Sequence, residues 1–218
     1  SASGNNDNFI HLLNKTTQII CNWFSRADQN GPFPIEDPFK CYMPNDKGDT
    51  TDELFNEIEK LVSSSFNPIH PGSLAHLDPP PLTISIIGDL IAASLNNNLL
   101  AYELSPSITI LEESLFKWFS KKIGFDEKSG GIAASGGTVS NLNALITARH
   151  SAQLGSANNA AFLISEDAHS SFTKCARIMG LDSNNLIKVK TDNKGSMDIS
   201  NLNKKIDQCI KDNKKIFS

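Results

Sequence analysis

Apolar residues in the first half of the chain recur every three or four positions, which is the spacing of one helix face. The pattern predicts four amphipathic helices, whose apolar positions are Phe9, Leu12, Leu13, Ile20, Trp23 and Phe24; Leu54, Phe55, Ile58, Leu61 and Val62; Ile84, Ile87, Ile91 and Leu95; and Ile108, Leu111, Leu115, Trp118 and Phe119. Thr50 and Glu53 are spaced as a capping box at the start of the second helix. Ser105 and Pro106 predict the N-cap and first turn of the fourth.

The first two predicted helices are joined by a segment rich in proline and glycine, residues 30–49, which cannot form regular structure. Residues 1–66 therefore form two helices on a tether in this interpretation. Each helix has one apolar face, so we expect this arm to pack against a surface outside itself.

From Gly130 onward the pattern changes to strand, loop and helix in alternation. Residues 131–134, 161–165 and 186–189 are the predicted strands, and Gly180 is the predicted stop of the second intervening helix. This alternation predicts an α/β fold with a largely parallel sheet. The last residues, KKIFS, have the pattern of a fourth strand that is just beginning. We therefore expect the chain to be the front part of a longer α/β protein.

Composition and charge give no support for nucleic acid or a membrane as a partner. The chain has 218 residues, 39% of them hydrophobic, and a net charge of −4, which gives no electrostatic basis for binding nucleic acid. The apolar run 84–95 contains Asp89 and is too short to span a membrane.

The N-terminal sequence SASGNNDNF has no signal-peptide pattern. The four cysteines form no CxxC pair, so we expect no zinc site, no disulfide framework and a reducing cytoplasm; they are Cys21, Cys41, Cys175 and Cys209.

A glycine-rich loop at residues 135–138 joins the first predicted strand to a helix. Because the first N–H groups of a helix lack partners, Gly136, Gly137 and Thr138 are suited to binding a phosphate. A tight turn that lets helix and strand pack closely explains the glycines equally well. The loop has neither the GK[ST] of a P-loop nor the GxGxxG of a dinucleotide site, so the phosphate would belong to another cofactor.

His169 lies just beyond the second predicted strand and just before a helix. Ligands of open parallel sheets gather at the carboxyl ends of the strands. His169 and the loop at 135–138 occupy equivalent places in consecutive strand–helix units. We therefore expect them to converge on one ligand.

Four segments occur in the order and spacing of a known family. They are HPGSLAHLDPPP, NNNLLAYELSPSITILEE, GIAASGGTVSNLNALITAR and ISEDAHSSFTKCARIMGL. The chain resembles the pyridoxal-phosphate (PLP) amino-acid decarboxylases, the group that includes glutamate, aromatic-amino-acid, cysteine-sulfinate and 2,4-diaminobutyrate decarboxylases. The resemblance covers residues 67–218, and more loosely the arm before them.

The resemblance implies a fold and a set of functional residues. It implies an α/β large domain of the PLP-dependent transferase type, similar to aspartate aminotransferase, with residues 67–218 as its first part and residues 1–66 as a helical dimerisation arm. The loop of Gly136, Gly137 and Thr138 would bind the cofactor phosphate, and His169 would stack on the cofactor ring and serve the chemistry. The substrate pocket would contain His76 and Leu77, and Leu100 would reach into the active site of the neighbouring subunit.

The implied function is PLP-dependent decarboxylation of an L-amino acid by a cytoplasmic homodimer without a metal. An aminotransferase or lyase of the same fold, or a non-catalytic dimerisation or binding fragment, remains an alternative. In the family, the Schiff-base lysine and the aspartate that binds the pyridine nitrogen lie beyond the region covered here, so we expect the 218-residue chain alone to be inactive. The substrate stays open, because AHLDPPP resembles diaminobutyrate-type members and AYELSP resembles glutamate-type members.

Overall fold

The structure is a computed structural model that describes residues 6–31, 46–74 and 77–218. Its contacts divide the chain into two compact units, Ser1–Asn96 and Asn97–Ser218. Most of the predicted proline-rich link lies outside the described residues, as does His76.

The first unit is helical. Its helices are α1 (Asn6–Ser25), α2 (Ala27–Asn30), α3 (Thr51–Ser63) and α4 (Thr83–Leu95). Helices α1 and α3 pack around Phe55, which is buried. The Lys15 ammonium lies 4.6 Å from the centre of the Phe55 ring and 3.1 Å from Asp52 Oδ1, so one cation both covers the apolar contact and pairs with a carboxylate.

The capping box at the start of α3 is confirmed. The Glu53 amide donates to Thr50 Oγ1 at 3.3 Å, and the Thr50 amide donates to Glu53 Oε2 at 2.8 Å. The Thr50 N–H, followed by the Thr50 hydroxyl, lowers the pKa of Glu53 because both stabilise the ionised carboxylate. Local sequence alone therefore determines where this helix begins.

A buried asparagine follows α3. The Asn67 side-chain amide donates to the carbonyl of Trp23 at 3.2 Å, and its Oδ1 accepts from the Ile69 amide at 3.0 Å. Both hydrogen bonds satisfy a buried polar group. They fix the end of α1 against the chain that leaves α3.

Helix α4 buries none of its side chains, although its sequence is TISIIGDLIAASL. Its exposed apolar side chains are Ile84, Ile87, Leu90, Ile91 and Leu95. The predicted helical spacing is confirmed, and the apolar face has no cover within the described residues.

The second unit is an α/β unit with a parallel sheet. Its main elements are α5 (Pro106–Lys122), α6 (Gly137–Ser151), β1 (Ala160–Ser165), α7 (Ser171–Ile178), β2 (Leu186–Val189), α8 (Ile199–Lys211) and β3 (Lys215–Ile216). The strand order is β2-β1-β3, with Phe162 opposite Leu186 and Ala160 opposite Lys215. Both pairings are parallel, so the predicted fold class is confirmed.

The core of the second unit lies between the central strand and helices α6 and α7. Its buried side chains are Leu145, Leu154, Ala160, Phe162, Ile164, Cys175, Ala176 and Leu181. The rings of Phe162 and Phe217 lie 5.5 Å apart between centroids, which joins the core to the residue after β3. Gly180 has a φ of 66° just beyond α7, which confirms it as the stop.

One predicted strand is absent, and one predicted cap lacks its side-chain hydrogen bond. Residues 131–134 form no strand: the Ala133 amide donates to Glu112 Oε1 at 2.9 Å, so a side chain of α5 takes the place of a strand partner. Ser105 is the N-cap residue of α5 and Pro106 lies in its first turn, as predicted, but the Ser105 side chain makes no capping hydrogen bond. The fixed φ of Pro106 suits a first helical position.

Within the described ranges, we find no helix with the length and apolar character needed to cross a membrane.

Candidate functional site

The glycine loop opens directly into helix α6. Gly136 is the N-cap residue, in an extended conformation, and its carbonyl accepts from the Ser140 amide at 3.0 Å and from Ser140 Oγ at 3.2 Å. No side chain of the described residues caps this end of the helix. The first amides of α6 therefore remain available at the positive end of the helix dipole.

The space around the two glycines separates the two interpretations of the loop. A Cβ placed on Gly136 or Gly137 would meet no atom within 4 Å, and neither residue has the positive φ that favours glycine. Close packing within the described residues thus gives no reason for glycine at these positions. Both are exposed, and Thr138 beside them is half-buried. Open backbone amides with a hydroxyl alongside are the donor set that a phosphate requires.

His169 lies in the turn between β1 and α7. The Ala168 amide donates to the Ser165 carbonyl at 3.0 Å, and the Phe172 amide donates to the His169 carbonyl at 3.2 Å. These bonds hold the backbone on both sides of the histidine. The imidazole itself is held at Nδ1, which accepts from the Ser171 amide at 3.1 Å and lies 2.9 Å from Ser171 Oγ.

A side-chain bridge connects this turn to α6. Asn141 Nδ2 donates to Ser171 Oγ at 2.9 Å, and Ser171 is fully buried. Asn141 lies one helical turn beyond Thr138, so the glycine loop and His169 belong to one hydrogen-bonded assembly. The sequence pattern alone does not indicate Asn141 and Ser171 as site residues. Their only signals were a polar residue one turn into α6 and a second serine after the histidine.

Helices α6 and α7 also touch beside the loop. Cys175 Sγ lies 3.7 Å from the Thr138 carbonyl oxygen, and Cys175 is buried. Burial raises the pKa of the Cys175 thiol, because the thiolate would lose its hydration. Cys175 therefore packs as a neutral side chain that fixes the spacing of the two helices.

The remaining predicted site residues lie elsewhere. Leu100 belongs to the second unit and is 87% exposed, and Leu77 belongs to the first unit and is fully exposed. The third, His76, is not among the described residues. The structure thus brings Gly136, Gly137, Thr138 and His169 into one unit, while Leu77 and Leu100 are exposed. Among the described residues, we find no group of three His, Cys, Asp or Glu side chains arranged to hold a metal ion.

The chain matches the family model described as pyridoxal-dependent decarboxylase conserved domain over residues 41–218. Since the match covers most of the sequence, the chain belongs to this family. This match confirms the resemblance seen in the four sequence segments. The cofactor of the family is pyridoxal 5′-phosphate.

Among curated relatives, the chain is 26% identical over 188 residues to an L-aspartate decarboxylase of Metarhizium robertsii, covering 82% of this chain and 38% of that protein. It is 31% identical over 208 residues to a glutamate decarboxylase of Drosophila melanogaster, covering 91% of this chain and 39% of that protein. The chain thus spans well under half the length of these relatives.

Solved structures share the fold. The crystal structure of mouse CSAD superposes with a TM-score of 0.88 at 21% identity, over 98% of this chain and 48% of that one. At this identity the likeness establishes the fold alone.

Proposed function

We propose that the protein containing this chain is a PLP-dependent amino-acid decarboxylase, and that Gly136, Gly137 and Thr138 hold the phosphate of its cofactor. The observation that carries this proposal is the open space at both glycines, together with the uncapped amides of α6. A backbone anion site needs both features. When bound, PLP supplies a ring that accepts the electron pair released as the carboxyl group leaves as CO2.

Three donors of the loop hold the phosphate in this proposal. The amides of Gly137 and Thr138 donate to the phosphate oxygens, and the Thr138 hydroxyl adds a third donor. The Glu112 carboxylate fixes the backbone at Ala133 and so steadies the segment that leads into the loop. A phosphate anchored in this way would keep the cofactor ring in place while substrates exchange.

We assign His169 to the face of the cofactor ring. Its imidazole is exposed at the carboxyl end of β1 while its backbone and Nδ1 are held. His169→Ala in the full-length protein should lower kcat far more than it lowers the unfolding temperature. His150→Ala is the matched control, because His150 lies at the far end of α6. Equal kcat in the His169 variant and the wild type would remove His169 from the chemistry.

The decisive activity assay separates decarboxylation from the other reactions of this fold. The full-length protein with PLP is incubated with single L-amino acids, with and without a 2-oxo acid that can accept an amino group, and CO2, the amine product and any new keto acid are measured. Release of both in equal amounts supports a carboxy-lyase. Formation of a keto acid without CO2 would support an aminotransferase instead, and no turnover of any amino acid would support the non-catalytic alternative.

The substrate class within this proposal is an L-amino acid, with His76 and Leu77 as proposed pocket residues. The relatives named above act on aspartate and glutamate, according to their names. The choice among side chains is left to the amino-acid panel.

We also propose that the protein is a homodimer, with residues 1–66 as its dimerisation arm, residues 67–218 as the first part of the PLP-binding domain and Leu100 reaching the neighbouring active site. The exposed apolar side chains Phe9, Ile10 and Leu100 support this, because large exposed apolar groups favour association. Sedimentation of the full-length protein, compared with a variant lacking residues 1–65, tests it. A soluble and active monomer after this deletion would contradict the proposal.

A cytoplasmic location is the last part of the proposal. It is supported by the free thiols of Cys21, Cys175 and Cys209. Fractionation of cells with an antibody against the protein tests the assignment.

A further inference from the structure

The imidazole of His169 is held through one nitrogen only. Nδ1 lies 3.1 Å from the Ser171 backbone nitrogen, whose N–H points to it, and 2.9 Å from the Ser171 hydroxyl. A backbone N–H can only donate a hydrogen bond. In this geometry Nδ1 accepts, and the proton of the neutral ring lies on Nε2.

The hydroxyl of Ser171 strengthens this choice of tautomer. Asn141 Nδ2 donates to Ser171 Oγ at 2.9 Å, so the hydroxyl proton is free to turn toward Nδ1. Two hydrogen bonds then run in sequence, from Asn141 Nδ2 to Ser171 Oγ and from Ser171 Oγ to His169 Nδ1. The Ser171 N–H and the Ser171 hydroxyl together favour Nδ1 as an acceptor, and the N–H alone favours it less strongly.

Burial makes the bridge rigid. Ser171 is fully buried and Asn141 is half-buried, whereas His169 is exposed. Cooperative hydrogen bonds between buried groups resist rotation of the side chains they join. Asn141 also lies one turn beyond Thr138 on α6, so the bridge ties the orientation of the histidine ring to the helix that begins at the glycine loop.

We infer that Asn141 and Ser171 are positioning residues that hold His169 as the Nε2–H tautomer, so that the histidine presents a hydrogen-bond donor and not a proton acceptor to its ligand. The tautomer follows from the geometry alone. Its use at the cofactor rests on the function proposed above. If Nδ1 carried the proton, its N–H would face the N–H of the Ser171 backbone. Two donors would then oppose each other without an acceptor between them.

The test is the ¹⁵N spectrum of the full-length protein carrying ring-labelled histidine, recorded both without and with PLP. His169 is assigned by difference against His169→Gln. We expect an unprotonated, pyridine-type resonance at Nδ1 and a protonated, pyrrole-type resonance at Nε2. A protonated Nδ1 in the wild type overturns the inference.

Two variants test the positioning role. Asn141→Asp is nearly isosteric but replaces the amide donor with an acceptor, so the Ser171 hydroxyl turns away from His169. Ser171→Ala removes the hydroxyl and keeps the backbone donor. Both variants should shift the Nδ1 resonance toward the averaged position of mixed tautomers. Ser170→Ala is the control, since Ser170 is exposed and makes no capping hydrogen bond.

Resonances that stay at the wild-type positions in both folded variants would remove Asn141 and Ser171 from this role. Circular dichroism of each variant verifies that it is folded. Should Asn141→Asp fail to fold, Ser171→Ala alone decides, because truncation to alanine leaves the backbone bond in place. The spectrum without PLP does not depend on catalysis, so a failed decarboxylase assay and a failed tautomer assignment are separate outcomes.

Discussion

Helix α4 of the first unit and strand β1 of the second have comparably apolar sequences, TISIIGDLIAASL and AAFLIS, and opposite exposure. No residue of α4 is buried. In β1, Ala160, Ala161 and Phe162 are fully buried and Ile164 nearly so. Strand β1 has strands on both edges and contributes to a core with residues of α6 and α7, and α4 has no such neighbours among the described residues. Apolar composition thus predicts an element, whereas burial depends on what surrounds it.

The two units therefore owe their stability to different sources. The second unit has an apolar core of its own around Phe162. The first unit depends on local devices, such as the α3 capping box and the Lys15–Phe55 contact between helices. An exposed face such as that of α4 gains its hydrophobic stabilisation only when another surface covers it, as in the proposed dimer.

The largest effect should follow from opening the core of the second unit. Phe162→Ala should lower the free energy of unfolding by about 3–5 kcal/mol, because a fully buried ring is replaced by a cavity. Ile84→Ala on α4 is the control. Because the Ile84 side chain is 70% exposed, its loss should lower the free energy of unfolding by about 0.5 kcal/mol. Urea unfolding followed by fluorescence measures both. Equal losses in the two variants would contradict the comparison.

A smaller effect should follow from removing the cap of α3. Thr50→Ala should destabilise the first unit by about 1 kcal/mol, because the Glu53 amide loses its acceptor. The chain has one tryptophan in each unit, Trp23 and Trp118, so a Trp118→Phe background reports on the first unit alone. Thr51→Ala, one residue further along, removes a hydroxyl without a capping role and should have less effect. An equal loss reported by Trp118 in a Trp23→Phe background would show that the units do not respond separately.

The smallest effects concern pH, and they should have opposite signs in the two units. The pKa of Glu53 is lowered from 4.5, so its contribution to stability is present above that pH and is lost as pH falls through the folded value. The pKa of Cys175 is raised from 9.0, so its contribution is present below that pH and is lost as pH rises through the folded value.

Acid should therefore loosen the first unit and alkali the second. Single-tryptophan chains measured across pH test this, with Glu53→Gln and Cys175→Ala as the variants that remove each titration. The same pH profile in a variant and its parent would show that the group does not contribute.

The sequence predicts those parts of the fold that depend on local patterns. The α3 cap, the Gly180 stop and strands β1 and β2 were all located from neighbouring residues. Residues 131–134 were predicted wrongly, because a strand needs a partner, and here Glu112 on α5 binds the Ala133 amide instead. Such a contact joins positions far apart in the sequence, and no periodicity reports it.

The candidate site divides in the same way. The glycine loop and His169 were found because each follows a recognisable break in the pattern. Asn141 and Ser171 were missed because a polar residue on a helix is usually solvated, and only the folded chain brings the two within 2.9 Å. The open space at Gly136 and Gly137 also became visible only in three dimensions.

The central claim is that the loop at Gly137 binds the cofactor phosphate, and the affinities for PLP and for pyridoxal, which lacks the phosphate, test it most directly. The ratio of the two dissociation constants in the full-length protein isolates the phosphate contact, since every other contact is common to both ligands. The two backbone amides among the three proposed donors alone correspond to a preference for PLP on the order of 100-fold. Gly137→Val should reduce this preference at least about tenfold by closing the approach to the amides. Gly155 lies beyond the other end of α6, and a Cβ added there would also meet no atom within 4 Å. Gly155→Val should therefore leave the preference for PLP unchanged. A folded Gly137→Val protein with the wild-type ratio would contradict the account.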